Sequence, residues 1–181
     1  MSKVLTLTLN ASDIKTAVKS DTYITGQVDK ASDMVKNAAR AFVEQAGNEN
    51  YHEVKLFRTM KAALAKLEAA IAEYVETSDE SAQISDTLTQ TSTTFTVSIT
   101  VNDRASAAFA TTLAYLAQEF IINAMLYYWW QPIDANLAKD YLDFANGNVL
   151  DIRRCLSKSA PSATSDSYSD ISGSVTPVGG N

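Results

Sequence analysis

Leucine alternates with threonine near the start of the chain. Leu5, Leu7 and Leu9 stand against Thr6 and Thr8, the two-residue period of a half-buried strand over residues 3–9. Asn10 then offers a side-chain oxygen suited to an N-cap, with Asp13 three residues on, so a short helix through Ile14, Ala17 and Val18 is predicted to start there. The run Asp21, Thr22, Tyr23, Ile24, Thr25, Gly26 is expected to interrupt it. A second helix is predicted from Val28, carrying Met34, Val35, Ala38 and Phe42, with Gly47 where a left-handed C-terminal cap belongs.

Over residues 51–76 the period changes to three and four. Phe57, Met60, Leu64, Leu67, Ile71 and Tyr74 form one apolar stripe, and Lys55, Arg58, Lys61, Lys66, Glu68, Glu73 and Glu76 occupy the outer face of the predicted helix. Such a stripe either forms a coiled-coil seam between chains or packs inside one bundle, and the bundle is the expected arrangement. Residues 77–82 are polar and lead to a strand pair. Phe95, Val97, Ile99 and Val101 alternate with Thr94, Thr96, Ser98 and Thr100, so one face of that strand is greasy and the other hydroxylated. Ile84 and Leu88 mark a weaker partner strand, joined as a hairpin through the polar loop at 89–93. With the N-terminal strand these predict a small antiparallel sheet whose open edge can take a strand from a neighbour.

From residue 109 to residue 130 the only charge is Glu119, over a length that nearly spans a bilayer. Gln118, Glu119 and Asn123 lie near its middle and no basic cluster flanks it, so it reads as the central buried helix of a soluble bundle, starting near Ser106. It ends at Trp129, Trp130 and Gln131, because Pro132 restricts the residue before it and lacks the N–H to extend the ladder. Asp134 is placed to cap a final helix with the stripe Leu137, Tyr141, Phe144 or Ala145, Val149, Ile152 and Leu156. Gly147 within it weakens the helix by about 1 kcal/mol relative to alanine and marks a candidate bend. Arg153, Arg154 and Lys158 fall at its C-terminal end, where the helix dipole favours cations.

Composition adds a boundary. Residues 158–181 hold seven serines, three glycines and two of the chain's three prolines, with Tyr168, Ile171, Val175 and Val178 as the only large apolar side chains. Too little apolar area is available there to offset ordering costs of roughly 1–2 kcal/mol per residue. The expected organisation is one mainly α body, residues 1–157, a bundle of four to five helices with a small antiparallel β-sheet or hairpin, followed by an extended low-complexity C-terminal arm over 158–181. No internal repeat and no second domain are apparent. The formal net charge of −6 argues against a nucleic-acid surface, which draws affinity from clustered Lys and Arg. One cysteine, Cys155, excludes an internal disulfide, and a polar N-terminus without an apolar h-region gives no sign of secretion, so a reducing cytoplasm is the expected site of synthesis.

Catalytic chemistry finds few carriers. A Cys–His pair would require His52 and Cys155 to meet, yet Cys155 lies in an apolar helical stripe, where cysteine usually only packs. A structural metal site needs about four ligands and cannot be assembled from one histidine and one cysteine. The glycines are isolated or terminal, so no phosphate-cradling loop joins a strand to a helix. No enzyme class and no cofactor is expected. The aromatic run Tyr127, Tyr128, Trp129, Trp130 is different: four adjacent residues point to every side of a helix, so some must face another element or another molecule. Tyrosine and tryptophan are favoured interface anchors, and covering by the chain's own first and last helices is the competing reading.

The segments Asp21-Thr22-Tyr23-Ile24-Thr25-Gly26, Tyr51-His52-Glu53 and Asp151-Ile152-Arg153-Arg154-Cys155-Leu156 resemble parts of small structural proteins of phages and prophages of Bacteroides-like hosts. The organisation is also similar to the head-to-tail adaptor proteins of tailed phages. That resemblance implies a virion protein, made in the bacterial cytoplasm, whose subunits form a homo-oligomeric ring, commonly of twelve, between portal and tail or neck proteins. It implies docking of the C-terminal arm against the portal, with Arg153 and Arg154 where the arm leaves the body and Tyr168, Ile171 and Val175 as apolar anchors. Neither nucleic-acid recognition nor a membrane is implied. The alternatives are a tail-completion protein or a soluble helical interaction module of regulatory type, acting through the stripe from Phe57 to Tyr74 and the aromatic run.

Overall fold

The alternating leucines do form a strand, and its partner lies far along the chain. The computed structural model describes residues 2–32, 46, 50–74, 88–102 and 107–159. Within them β1 (Ser2–Asn10) pairs antiparallel with β2 (Thr94–Asn102), in a register that sets Leu9 opposite Phe95, Leu7 opposite Val97 and Leu5 opposite Ile99. Apolar positions therefore share one face, with Leu7, Leu9, Phe95, Val97, Ile99 and Val101 buried, while Thr6, Thr8 and Thr96 are exposed on the other. The predicted small antiparallel sheet is thus present with the N-terminal strand as the partner of β2. Leu88 is buried but lies outside any strand, and residues 89–92 form a turn closed by Ser92 N–H on the Thr89 carbonyl at 3.1 Å. Ile84 lies outside the described residues.

Helix α1 (Ala11–Ser32) begins where expected. Asn10 Oδ1 accepts from the N–H groups of Ser12 and Asp13 at 3.0 and 3.2 Å, and the Thr93 carbonyl, just before β2, accepts from Ala11 N–H at 2.8 Å. The expected interruption at 21–26 does not occur, and the helix predicted from Val28 starts inside α1. Its further markers, Met34, Val35, Ala38, Phe42 and Gly47, lie outside the described residues. Thr22 explains the continuity. It falls on the stripe of Ile14 and Val18, is wholly buried, donates its hydroxyl to the Lys19 carbonyl at 3.0 Å, and accepts from Ala46 N–H at 3.1 Å. Packing and these bonds override a modest local propensity penalty.

Helix α2 (Asn50–Ala70) buries His52, Leu56, Met60, Ala63, Leu64 and Leu67, which turns the apolar stripe slightly from its predicted position and leaves Phe57 at its edge. The stripe packs inside the chain against α3 (Ala107–Trp130), the arrangement expected over an intermolecular seam. The helix stops at Ala70, short of the predicted residue 76. No glycine or proline signals the stop. Instead the chain turns through Ile71–Tyr74 so that the Tyr74 carbonyl accepts from Thr100 N–H of β2 at 2.7 Å, and Arg153 Nε reaches the freed Ala70 carbonyl at 3.0 Å.

Helix α3 is apolar on nearly every side and central in the fold, touching β1, α1, α2 and α4 (Ala135–Ser159). By length and composition it is the one described helix apolar enough to cross a membrane. Here it packs Leu113, Ala117, Phe120, Ile121, Met125 and Leu126 into the core, and its mid-helix Asn123 donates to Asn148 Oδ1 of α4 at 3.2 Å. The turn at 131–133 reverses the chain. Asp134 caps α4, its Oδ1 accepting from Asn136 and Leu137 N–H at 2.9 and 3.1 Å. Ala145, not Phe144, takes the inner position: Phe144 is 61% exposed. The helix runs through Gly147 unbroken and extends to Ser159, two residues past the predicted end of the body.

Candidate interaction site

The four adjacent aromatics divide by face. Trp129 and Trp130 are each 1% exposed, whereas Tyr127 and Tyr128 are half-buried, with ring centroids 5.1 Å apart. The two tryptophans, offered with the tyrosines as candidate interaction residues, are covered within the chain instead. A second chain cannot reach either indole, because α3 carries both into the core, and only the tyrosines remain at the surface. Trp129 also meets His52 of α2, ring centroids 5.5 Å apart, and His52 in turn meets Tyr51 edge-on at 4.2 Å. The contact sets the first turn of α2 beside the last turn of α3.

Across that junction lies Lys55. Its Nζ sits 3.9 Å from the Trp129 ring centroid and donates to the Trp129 carbonyl at 3.3 Å, supplying a cation to the C-terminal end of α3. Burial pulls the pKa of this amine below the usual lysine range. Beside it the surface dips into an open groove of about 390 Å³, lined by Tyr51, Val54, Lys55, Arg58, Ala62 and Tyr128. Tyr51 is 55% exposed and Val54 is also exposed. Farther along α2, Lys66 Nζ lies 5.0 Å from the Tyr128 ring and 5.5 Å from that of Tyr127. The arrangement offers flat apolar surface edged by cations, suited to aromatic or aliphatic side chains accompanied by carboxylates.

The electrostatics around the groove are one-sided. Glu53, the acid nearest on α2, faces away and is engaged by Lys15 at 3.8 Å and by Lys19, both on α1. Among the described residues no carboxylate lies within ion-pair distance of Lys55 or Arg58. A local basic face thus stands on a chain of net charge −6.

The other predicted site residues are placed separately. Arg153 caps the C-terminal end of α2, and Arg154 pairs with Asp151 at 3.1 Å on an exposed stretch of α4. Tyr168, Ile171 and Val175 lie outside the described residues. His52 and Cys155 are not brought together: Arg153, two residues before Cys155, bonds the Ala70 end of α2, while His52 stands eighteen residues away, about 27 Å along the axis at 1.5 Å per residue. Among the described residues no cluster of three or more His, Cys, Asp or Glu side chains is positioned to hold a metal ion. The groove itself was legible only in part. Lys55 and Arg58 read as outer-face cations, but nothing in the spacing says that Tyr128 of another helix closes the far wall.

No protein family, curated protein or solved structure matches the chain.

Proposed function

We propose that the protein is a non-catalytic assembly subunit that binds other proteins through surface grooves on a closed helical core, and more narrowly a connector or neck component of a tailed phage, as the sequence resemblance implies. The observation that carries the first part is the groove on α2 and α3, which joins exposed Tyr51 and Val54 to the uncompensated cations Lys55 and Arg58. Cations edging an apolar floor supply both area and orientation for a protein partner. Further large apolar side chains stand exposed at Tyr23, Ile24, Tyr115, Phe144 and Leu150, more than one binding surface requires, and this supports a subunit with neighbours on several sides. Ring symmetry would multiply such individually weak contacts.

Light scattering on the purified full-length chain, alone and mixed with a portal protein, tests the narrower reading. A defined large oligomer or a stable portal complex supports the connector. A monomer indifferent to the portal sinks it and leaves the regulatory interaction module, with the groove as its binding surface. Burial of the α2 stripe within the chain speaks against that module working through Phe57 to Tyr74.

A further inference from the structure

We infer that the outer face of α4, centred on Gly147, is a two-fold contact surface for a second copy of this chain, with the two α4 helices antiparallel. The inference concerns a different face from the groove and does not rest on the connector reading.

Position is the first argument. At about 100° per residue, Asp140, Asp143, Phe144, Leu150, Asp151 and Arg154 all lie within about 60° of Gly147, so they share one side of the helix. That side is open: Phe144 is 61% and Leu150 55% exposed, and the four charged residues are exposed as well. The half-buried Tyr141 meets Phe144 edge-on, ring centroids 6.4 Å apart, and backs the exposed ring.

Glycine is the second. Gly147 makes no turn, because α4 runs unbroken through it, and an added Cβ there meets nothing within 4 Å. Alanine is the better helix former, so the packing within the chain gives no reason for the missing side chain. A bare Cα permits close approach from outside, and Phe144 and Leu150, three residues to either side, supply apolar flanks.

Symmetry is the third, and it selects the occupant. When a second α4 runs antiparallel across Gly147, residues equally far before and after the glycine meet. Phe144 meets Leu150 of the copy, and Asp140 meets Arg154 of the copy, each contact occurring twice. Neither Asp140 nor Asp143 has an ion-pair partner among the described residues. Asp143 meets the copy's Asp151, but that carboxylate already holds its own Arg154 at 3.1 Å, a guanidinium with donors enough for both acids. An unrelated protein has no cause to match this palindrome, whereas a second copy matches it by construction. From Asp140 to Arg154 the face is about 21 Å long, and one helix of that length offers less than the roughly 1,200 Å² total of a standard interface. The expected dimer is therefore weak and exchanges with monomer.

Sedimentation velocity on the full-length chain, from about 10 μM to about 1 mM, tests the contact. A concentration-dependent equilibrium between monomer and dimer is the expected result. Asp140→Arg alone and Arg154→Glu alone, both at exposed positions and checked for folding by circular dichroism, should each weaken dimerisation about tenfold, since each sets like charges at both symmetric contacts. An equimolar mixture of the two variants should recover the parent's dimer to within about threefold, because the mixed dimer has opposite charges at both contacts. Gly147→Ala should weaken dimerisation while raising the melting temperature of the dilute monomer. A chain monomeric at every concentration, a dimer that these variants leave unchanged, or a mixture that fails to restore it overturns the inference. A ring that persists in all the variants sinks this inference and leaves the connector reading, while a dimer and nothing larger, lost in the single variants, supports it and sinks the ring.

Discussion

Trp129 and Trp130 show what adjacent aromatics on a helix settle and what they leave open. The spacing shows that four consecutive rings cannot share one face, but which ring goes inward depends on the neighbours, and only the packing of α2 and α4 decides it. Truncating Trp129 or Trp130 to alanine is expected to lower folding stability by about 3–5 kcal/mol, measured by urea titration. Trp130→Phe should stay within about 1.5 kcal/mol of the parent, because no acceptor reaches the buried Nε1 among the described residues and its loss offsets the smaller ring. Asp21 supplies a pH test. Burial on α1 raises its carboxyl pKa above the ordinary value of 3.8, so the folded chain holds the proton more tightly than the unfolded one. Ionisation therefore costs stability above the raised pKa, and that cost is relieved as pH falls toward the ordinary carboxylate range. Asp21→Asn should raise the melting temperature at neutral pH, with the advantage over the parent shrinking in acid. An unchanged difference across the range would show that another group governs this pH dependence.

Helix starts were legible, as was the end of α3 ahead of Pro132, but the end of α2 was not. Asn10 and Asp134 carry their caps in their own side chains, two or three residues from the groups they satisfy, so sequence suffices to place them. The end of α2 is set by residues about thirty and eighty positions away, Thr100 taking the Tyr74 carbonyl and Arg153 the Ala70 carbonyl, and no local signal encodes either. Arg153→Ala is expected to destabilise the fold by about 1 kcal/mol and to speed amide exchange in the last turn of α2 more than elsewhere. A uniform increase across the chain would assign Arg153 no special tie to that helix end. Gly147 sits in an open stretch of α4, where an added Cβ meets nothing within 4 Å. Gly147→Ala should accordingly stabilise the chain by up to about 1 kcal/mol, visible as a higher urea midpoint. The strand pattern was legible for the same reason as the caps, since period two is a local property, whereas the choice of β1 as partner for β2 is a tertiary one.

At the scale of the whole molecule, the mainly helical architecture with a two-stranded antiparallel sheet follows from periodicities that each segment carries by itself. The groove does not, because it needs Tyr51 from one helix and Tyr128 from another to face each other, and function stays further from the sequence still when its chemistry is weak contacts and not a fixed constellation of reactive groups. The pairing of β1 with β2 has one more consequence, for how the chain acquires this shape. Eighty-four positions separate Asn10 from Thr94, and a hundred separate Ser2 from Asn102. During synthesis at about 5–20 residues per second, the leucine face of β1 waits several seconds for its partner to be translated. Folding must then close that long loop before the sheet rewards it, which places sheet formation late and makes nascent chains ending before residue 94 the most prone to associate through β1.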